Sequence, residues 1–380
     1  MTTKTNNNLN NPNNQNLGNL PIWDLSDLYE SIESKKIGSD LEFVETRAKE
    51  FAENYEGKIY SLKGSSLLAA IEQLEIIDER MDKILSFAHL LYTENVEDVK
   101  NKVFFQQMQE KITKISSSLI FFTLELNSIE ETQINKLFNF EGLKKFKTWI
   151  EISRAYKPHL LDKKLEKLMK DKSLTSSIAW IRLFDETIAS LRFPFKDKKL
   201  SSAEILNYFS DNDASKRKEA AKSVGSVLEA NVNIFCTITN TLAKDKAIND
   251  EWREFPNPIR SRNLANVVED EVVEALIKAI TNSYPKLSHR YYKMKAKWFR
   301  KKSLKYWDRN APLPFQSNRV YTWEQATSIV LEAFNNFNSD IGKIGKMFCD
   351  KCWIHAPITK GKSPGAFSAS SVPSVHPYIL

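Results

Sequence analysis

Ten glycines and thirteen prolines in 380 residues are too few for the many tight turns of an all-β fold, since glycine alone averages about 7% of a typical chain. Three cysteines are a low, odd number that argues against a disulfide framework and fits a reducing compartment such as the cytoplasm. No apolar run reaches the length that a membrane-spanning helix requires, and the N-terminus lacks the apolar core of a secretory signal. Histidine is also scarce. The five, His89, His159, His289, His355 and His376, never fall within four residues of one another. A helical zinc site of the His-Glu-x-x-His type, which needs two imidazoles on one face at i and i+4, is therefore not encoded in this sequence. There is likewise no glycine-rich phosphate loop and no nucleophile elbow.

What is abundant is helical texture. The composition, 42% apolar and 27% charged, suits a globular protein long enough for two or three domains. The net charge of +7 is mildly basic, short of the clustered basicity of a dedicated nucleic-acid binder. Residues 1–19 are low-complexity and asparagine-rich, and are expected to be disordered for want of apolar surface. From residue 20 onward apolar residues recur at helical spacing. Helices are expected near 65–94, 96–126, 143–155, 162–191, 213–246, 269–302 and 322–351. The first two would form an antiparallel hairpin. Only the segment after residue 361 reads as strand. It breaks off in an apolar run, so Ile379 and Leu380 are expected to need a covering layer from a longer polypeptide.

Three clusters carry chemistry in other proteins and read as structural here. Cys349, Cys352 and His355 approach metal-ligand spacing, but no second Cys-x-x-Cys accompanies them, so the expected role is packing. The stretch Arg290-Tyr-Tyr-Lys-Met-Lys-Ala-Lys-Trp-Phe-Arg-Lys-Lys302 mixes bases and aromatics as single-strand nucleic-acid binders do. Its Leu287, Tyr291, Met294 and Trp298 nevertheless recur as a core stripe, which would leave the cations on a solvated face. Asp308-Arg309 is expected to form a partly buried ion pair at a helix exit.

Several stretches taken in order resemble oligoendopeptidase F, of the thimet-oligopeptidase-like zinc metallopeptidases. They are Trp23-Asp-Leu-Ser-Asp-Leu-Tyr29, Lys172-Ser-Leu-Thr-Ser-Ser-Ile-Ala-Trp-Ile-Arg-Leu-Phe-Asp-Glu186, Ser261-Arg-Asn-Leu-Ala-Asn-Val-Val-Glu-Asp-Glu-Val-Val-Glu-Ala-Leu276, Asp308-Arg-Asn-Ala-Pro-Leu-Pro314, Gly361-Lys-Ser-Pro-Gly-Ala-Phe-Ser368 and Val375-His-Pro-Tyr-Ile-Leu380. The resemblance covers residues 20–380. It implies a mostly α, clam-like stack of antiparallel helices with a short β segment near the C-terminal end. Residues 20–195 would be the N-terminal helical region and residues 196–380 the first, incomplete part of the catalytic domain. The implied activity is cytoplasmic hydrolysis of internal bonds in short unstructured peptides.

The family's zinc sits on a His-Glu-x-x-His helix that would follow residue 380. No catalytic or metal residue carries over, and the chain alone is expected to hold no zinc and to be inactive. What does carry over is the strand Gly365, Ala366, Phe367 and Ser368, which in the family lies beside the active site and would hold an extended peptide. His355 stands where many relatives have Asp. Two further roles fit the sequence less directly: a peptide-binding or assembly half of a split peptidase, completed by a separate C-terminal half, and a nucleic-acid-binding helical protein. No membrane partner is expected.

Overall fold

The computed structural model describes residues 17–315, 319–359, 361–363 and 365–380. The expected disorder of the tail concerns residues of which 1–16 lie outside this set. Residues 17–19 differ from that expectation: Leu17 accepts a hydrogen bond from the Trp323 N–H at 2.7 Å, and the Asn19 N–H donates to Glu324. Backbone donors and acceptors near a helix N-terminus thus tie down a stretch whose composition alone suggests no order.

The first half is a packed helical body. Helices α1 (Lys35–Tyr55), α2 (Gly64–Glu94) and α3 (Val99–Ser117) lie against one another, followed by the short α4 (Ile120–Ser128), α5 (Glu131–Leu137) and α6 (Lys147–Arg154). Along α2 the apolar residues at helical spacing, Leu67, Ile71, Leu74, Ile77 and Met81, are buried, and Leu68 and Leu85 are half-buried. Phe51, Phe87, Phe104, Phe121 and Phe122 fill the space between helices. Long helices break where the local sequence offers the freed N–H groups a partner. Asp98 caps α3 by accepting from the Asn101 N–H, as short polar side chains do at helix starts.

The second half is looser. Helices α7 (Lys163–Lys172) and α8 (Ser177–Ser190) lead to a hairpin of β1 (Phe193–Phe195) and β2 (Lys198–Leu200), paired antiparallel with Phe193 opposite Leu200. This hairpin was not expected. Its two alternate phenylalanines face a small core, Lys196 adopts the left-handed conformation that turns the chain, and Pro194 points outward. A separate apolar cluster forms around it from Leu191, Phe193, Phe195, Leu200, Ile205 and Ala220. The short α9 (Ser202–Asn207), α10 (Ala214–Ala230), α11 (Val232–Trp252) and α12 (Arg260–Ala265) follow.

The helix expected at 269–302 is two, α13 (Asp270–Ser283) and α14 (Ser288–Trp298), and that expected at 322–351 is a hairpin of α15 (Trp323–Phe337) and α16 (Ser339–Asp350). Asn338 breaks the latter, because its extended backbone frees its side chain to accept from the Asp340 and Ile341 N–H groups. The expected core stripe of α14 is not buried: Leu287, Tyr291, Met294 and Trp298 are exposed, and Lys295 and Ala296 face inward instead. Apolar side chains also face solvent along α13 at Val272, Leu276 and Ile280 and on α15 at Ile329 and Phe334. Among the described residues, no helix is long and apolar enough to cross a membrane.

Candidate peptide-binding edge and its polar support

The last segment folds back onto the first. β3 (Ser368–Ala369) pairs antiparallel with β4 (Tyr378–Ile379), with Ser368 opposite Ile379 and Ala369 opposite Tyr378. Next to β4 runs the chain at 353–355, in parallel: His355 N–H donates to the Ile379 carbonyl and Ile379 N–H to that of Trp353, both at 2.9 Å. Beyond it lies the N-terminal segment, whose Asp24 N–H reaches the Cys352 carbonyl and whose Pro21 carbonyl accepts from Ala356. Four distant stretches thus form one small ribbon, with β3 at its rim.

This ribbon is not an uncovered layer. Tyr378 is fully buried and Leu380 nearly so, both inside the core built by α1–α6. For Leu380 the expected need of a covering layer from a longer polypeptide is therefore corrected, since the N-terminal helical body covers it, while Ile379 is half-buried. Sequence periodicity could not reveal this, because the helical body ends at Arg154 and the final run lies at Tyr378–Leu380.

The four residues expected to hold a peptide are contiguous at the rim. Phe367 exchanges both backbone hydrogen bonds with Leu380, at 3.2 and 3.0 Å. In an antiparallel pair the next residue then aims its N–H and C=O the other way. Ser368 accordingly presents them to the outer edge, and its side chain is exposed. Phe367 packs against the core with its ring 6.0 Å from that of His89. Gly365 takes a φ of +96°, a conformation that disfavours a Cβ, and together with Ala366 it is exposed.

Behind the ribbon lies a polar cluster that local sequence did not flag. Glu94, at the end of α2, accepts from the Trp23 indole N–H at 2.9 Å and faces His355 Nε2 at 3.7 Å. Burial pushes the Glu94 carboxyl up, but His355, Trp23 and then Lys362 outweigh it and hold the group below its ordinary range. Lys362 donates to the His355 and Pro357 carbonyls, and burial lowers its ammonium pKa to about 8. The partners come from four separate stretches, which is why no motif announced them. The cluster locks the strand at 353–355 to α2 and to the N-terminal segment.

These residues do not fit a zinc centre. Each histidine has its own separate surroundings. His159 Nδ1 meets the Arg253 carbonyl, and its ring stacks on Phe255. His376 stacks on Trp353 at 3.6 Å and reaches Asp27 through Nε2 at 3.0 Å. His89 contacts Phe105 and Phe367, and burial lowers its pKa. Cys349 is half-buried near the end of α16, with its thiol pushed up by burial, while His355 faces Glu94. Among the described residues, no group of three metal donors converges.

Asp308 also differs from expectation. It does not pair with Arg309 but is completely buried between Arg217 of α10, at 2.8 Å, and Lys301, at 2.6 Å. Burial would raise its carboxyl, but Lys301 and Arg217 outweigh this and hold it low. The pair ties α10 to the turn after α14.

Comparison with known proteins places this architecture. A family model of the peptidase M3 N-terminal region, described as Oligopeptidase F, matches residues 125–193. Over 365 residues the chain is 26% identical to the group B oligopeptidase PepB of Streptococcus agalactiae, covering 92% of this chain and 58% of that protein. It is 24% identical to an oligoendopeptidase F homolog of Borreliella burgdorferi, covering 94% and 60%. The crystal structure of oligoendopeptidase-F from Enterococcus faecium superposes with a TM-score of 0.68 at 19% identity, over 84% of this chain and 60% of that one. The chain spans about three fifths of the length of the relatives it matches.

Proposed function

Starting from a chain related to the oligoendopeptidase F peptidases along nearly all its length, we propose that it is the peptide-recognising portion of a peptidase that cleaves internal bonds of short, unstructured peptides in the cytoplasm. The observation that carries this reading is the free outer edge of β3. There the Ser368 N–H and C=O are turned away from β4, toward a site where an extended peptide can add as a further strand. Backbone pairing at such an edge is indifferent to side chains, which suits a peptidase acting on varied oligopeptides. In the complete family enzyme a zinc ion supplies the activated water. This chain's part is to bind and align the peptide backbone, and it has no paired imidazoles of its own to hold the metal. On its own it is therefore expected to bind peptide without cleaving it.

Ser368→Pro tests the binding role, because it deletes the outward N–H and leaves the Phe367–Leu380 pairing intact. Fluorescence polarisation with a labelled, extended decapeptide should show at least a tenfold loss of affinity with the circular-dichroism melt unchanged. Undiminished binding would remove β3 from the site. A quenched-peptide assay with added zinc tests the second part, and chelator-sensitive cleavage by this chain alone would overturn it.

A second role is favoured by a different observation. Apolar side chains of α13, and of α15 and α16, point to solvent, and exposed apolar faces suit contact with a partner. They suit the chain to act as one half of an assembly, completed by a polypeptide carrying the zinc helix. Co-expression with such a polypeptide should raise solubility and yield peptidase activity, whereas two halves that elute separately would rule this out.

A further inference from the structure

The basic stretch at 290–302 keeps most of its cations on a solvated face and ends at a cleft. A cavity of about 550 Å³ opens between the start of α10 and the turn after α14. Its walls carry Lys218, Lys301, Lys302, Lys305, Ser303 and Trp307. Of the four lysines, only Lys301 is paired with a carboxylate, that of Asp308. Lys218 sits over the Trp307 ring at 5.9 Å. Among the described residues, Lys218, Lys302 and Lys305 make no ion pair. Asp308 does not neutralise the cleft, because it is also committed to Arg217 behind it. The other nearby acids are occupied as well: Asp213 caps α10 through the Ser215 N–H at 2.7 Å, and Asp211 pairs with Lys216.

Three unpaired ammonium groups gathered on one concave wall repel each other. The arrangement is relieved by an anion with several negative oxygens at matching separations, and a concave site of one sign concentrates such an ion. Lysine serves phosphate as a point charge without demanding planar geometry, and the serine hydroxyl adds a donor. Trp307 provides an aromatic wall, and the volume suits a small ligand of several linked phosphates rather than a single phosphate.

We propose that this cleft binds a compact polyphosphate anion, the phosphates held by Lys218, Lys302 and Lys305. The chemistry is shared by inorganic polyphosphate and by the triphosphate of a nucleotide, whose base would lie along Trp307. The cations share one open depression of the surface, whose size suits a small ligand better than a long strand.

Isothermal titration of the 380-residue chain with sodium tripolyphosphate, ATP and a twelve-residue oligothymidylate tests the assignment. Saturable one-to-one binding of tripolyphosphate or ATP is expected at low salt, weakening as salt rises. The double variant Lys302→Ala/Lys305→Ala, at exposed positions that the fold does not use, should lower affinity at least tenfold. Lys343→Ala/Lys346→Ala, which removes the same charge from α16, should change it less than twofold. ATP binding tighter than tripolyphosphate, with the difference lost in Trp307→Ala, assigns the nucleotide. Equal affinity assigns the phosphate chain alone. No saturable binding of either small anion, equal effects of the two double variants, or binding of the oligonucleotide alone would overturn the proposal.

Discussion

Helices α2 and α14 carry the same kind of apolar stripe, yet one is buried and the other is not. On α2 the stripe lies under α1 and α3, and its neighbours include Phe87, in edge contact with Tyr29 and Phe104. On α14 the stripe of Tyr291, Met294 and Trp298 faces solvent, and the inward side holds Lys295, whose ammonium donates to the Arg309 carbonyl. The first half of the molecule is held by apolar packing around one large core. The second is held by a small apolar cluster and by polar pins such as Arg217–Asp308. Periodicity therefore marks which face of a helix is able to be buried, and burial itself depends on whether another element arrives to cover it.

This contrast can be broken by mutation. Phe87→Ala should be the most damaging, at about 3–5 kcal/mol by urea unfolding, because it opens a cavity that aromatic neighbours cannot refill. Asp308→Ala should cost about 3–4 kcal/mol, since it strands the Arg217 guanidinium without its counter-ion inside the protein. Replacing both, as Arg217→Met/Asp308→Leu, should recover much of that loss. If Asp308→Ala proved neutral, the second half would owe its order to something other than this pin.

A smaller effect follows from Lys362. Burial depresses its pKa to about 8 from an ordinary value of 10.5, so between those values the unfolded chain holds a proton that the folded chain has released. Stability then rises with pH across that window and is reduced below it. The wild-type protein should gain about 2 kcal/mol between roughly pH 7.5 and 9.5 relative to Lys362→Met, in which this dependence is absent. Parallel pH profiles for the two proteins would show that the ammonium is solvated. The smallest effect belongs to Trp298→Ala, expected at about 1 kcal/mol, because the ring is 37% exposed and, among the described residues, makes edge contacts with Tyr291 and Phe315 alone. A loss matching that of Phe87→Ala would mean that α14 is covered after all and would erase the contrast between the halves.

Much of the helical plan was legible because its signals are local. The long α2 and the starts of α7, α10, α13 and α15 all lie in short windows of sequence. Splits inside long periodic stretches were not legible. Asn231, between α10 and α11, and Asn338, between α15 and α16, interrupt runs whose apolar spacing continues across them. The β1–β2 hairpin escaped notice because three-residue strands are too short to show alternation. At the candidate site Gly365, Ala366, Phe367 and Ser368 were named through the resemblance, and of these Ser368 lies in β3, whereas Glu94 and Lys362 were not named, since neither belongs to a motif.

By itself the sequence determined the helical class, the approximate start of several long helices and the similarity to oligoendopeptidase F, because hydrophobic period and the ordered set of stretches are carried by residues near each other in the chain. Only the tertiary structure decided that Tyr378 and Leu380 close the core of α1–α6, that His355 faces Glu94 instead of the cysteines beside it, and that Asp308 answers Arg217 instead of its neighbour Arg309. Burial and charge pairing are properties of space. A residue's partner is whichever group the fold brings within a few ångströms, and separation along the chain carries no record of it.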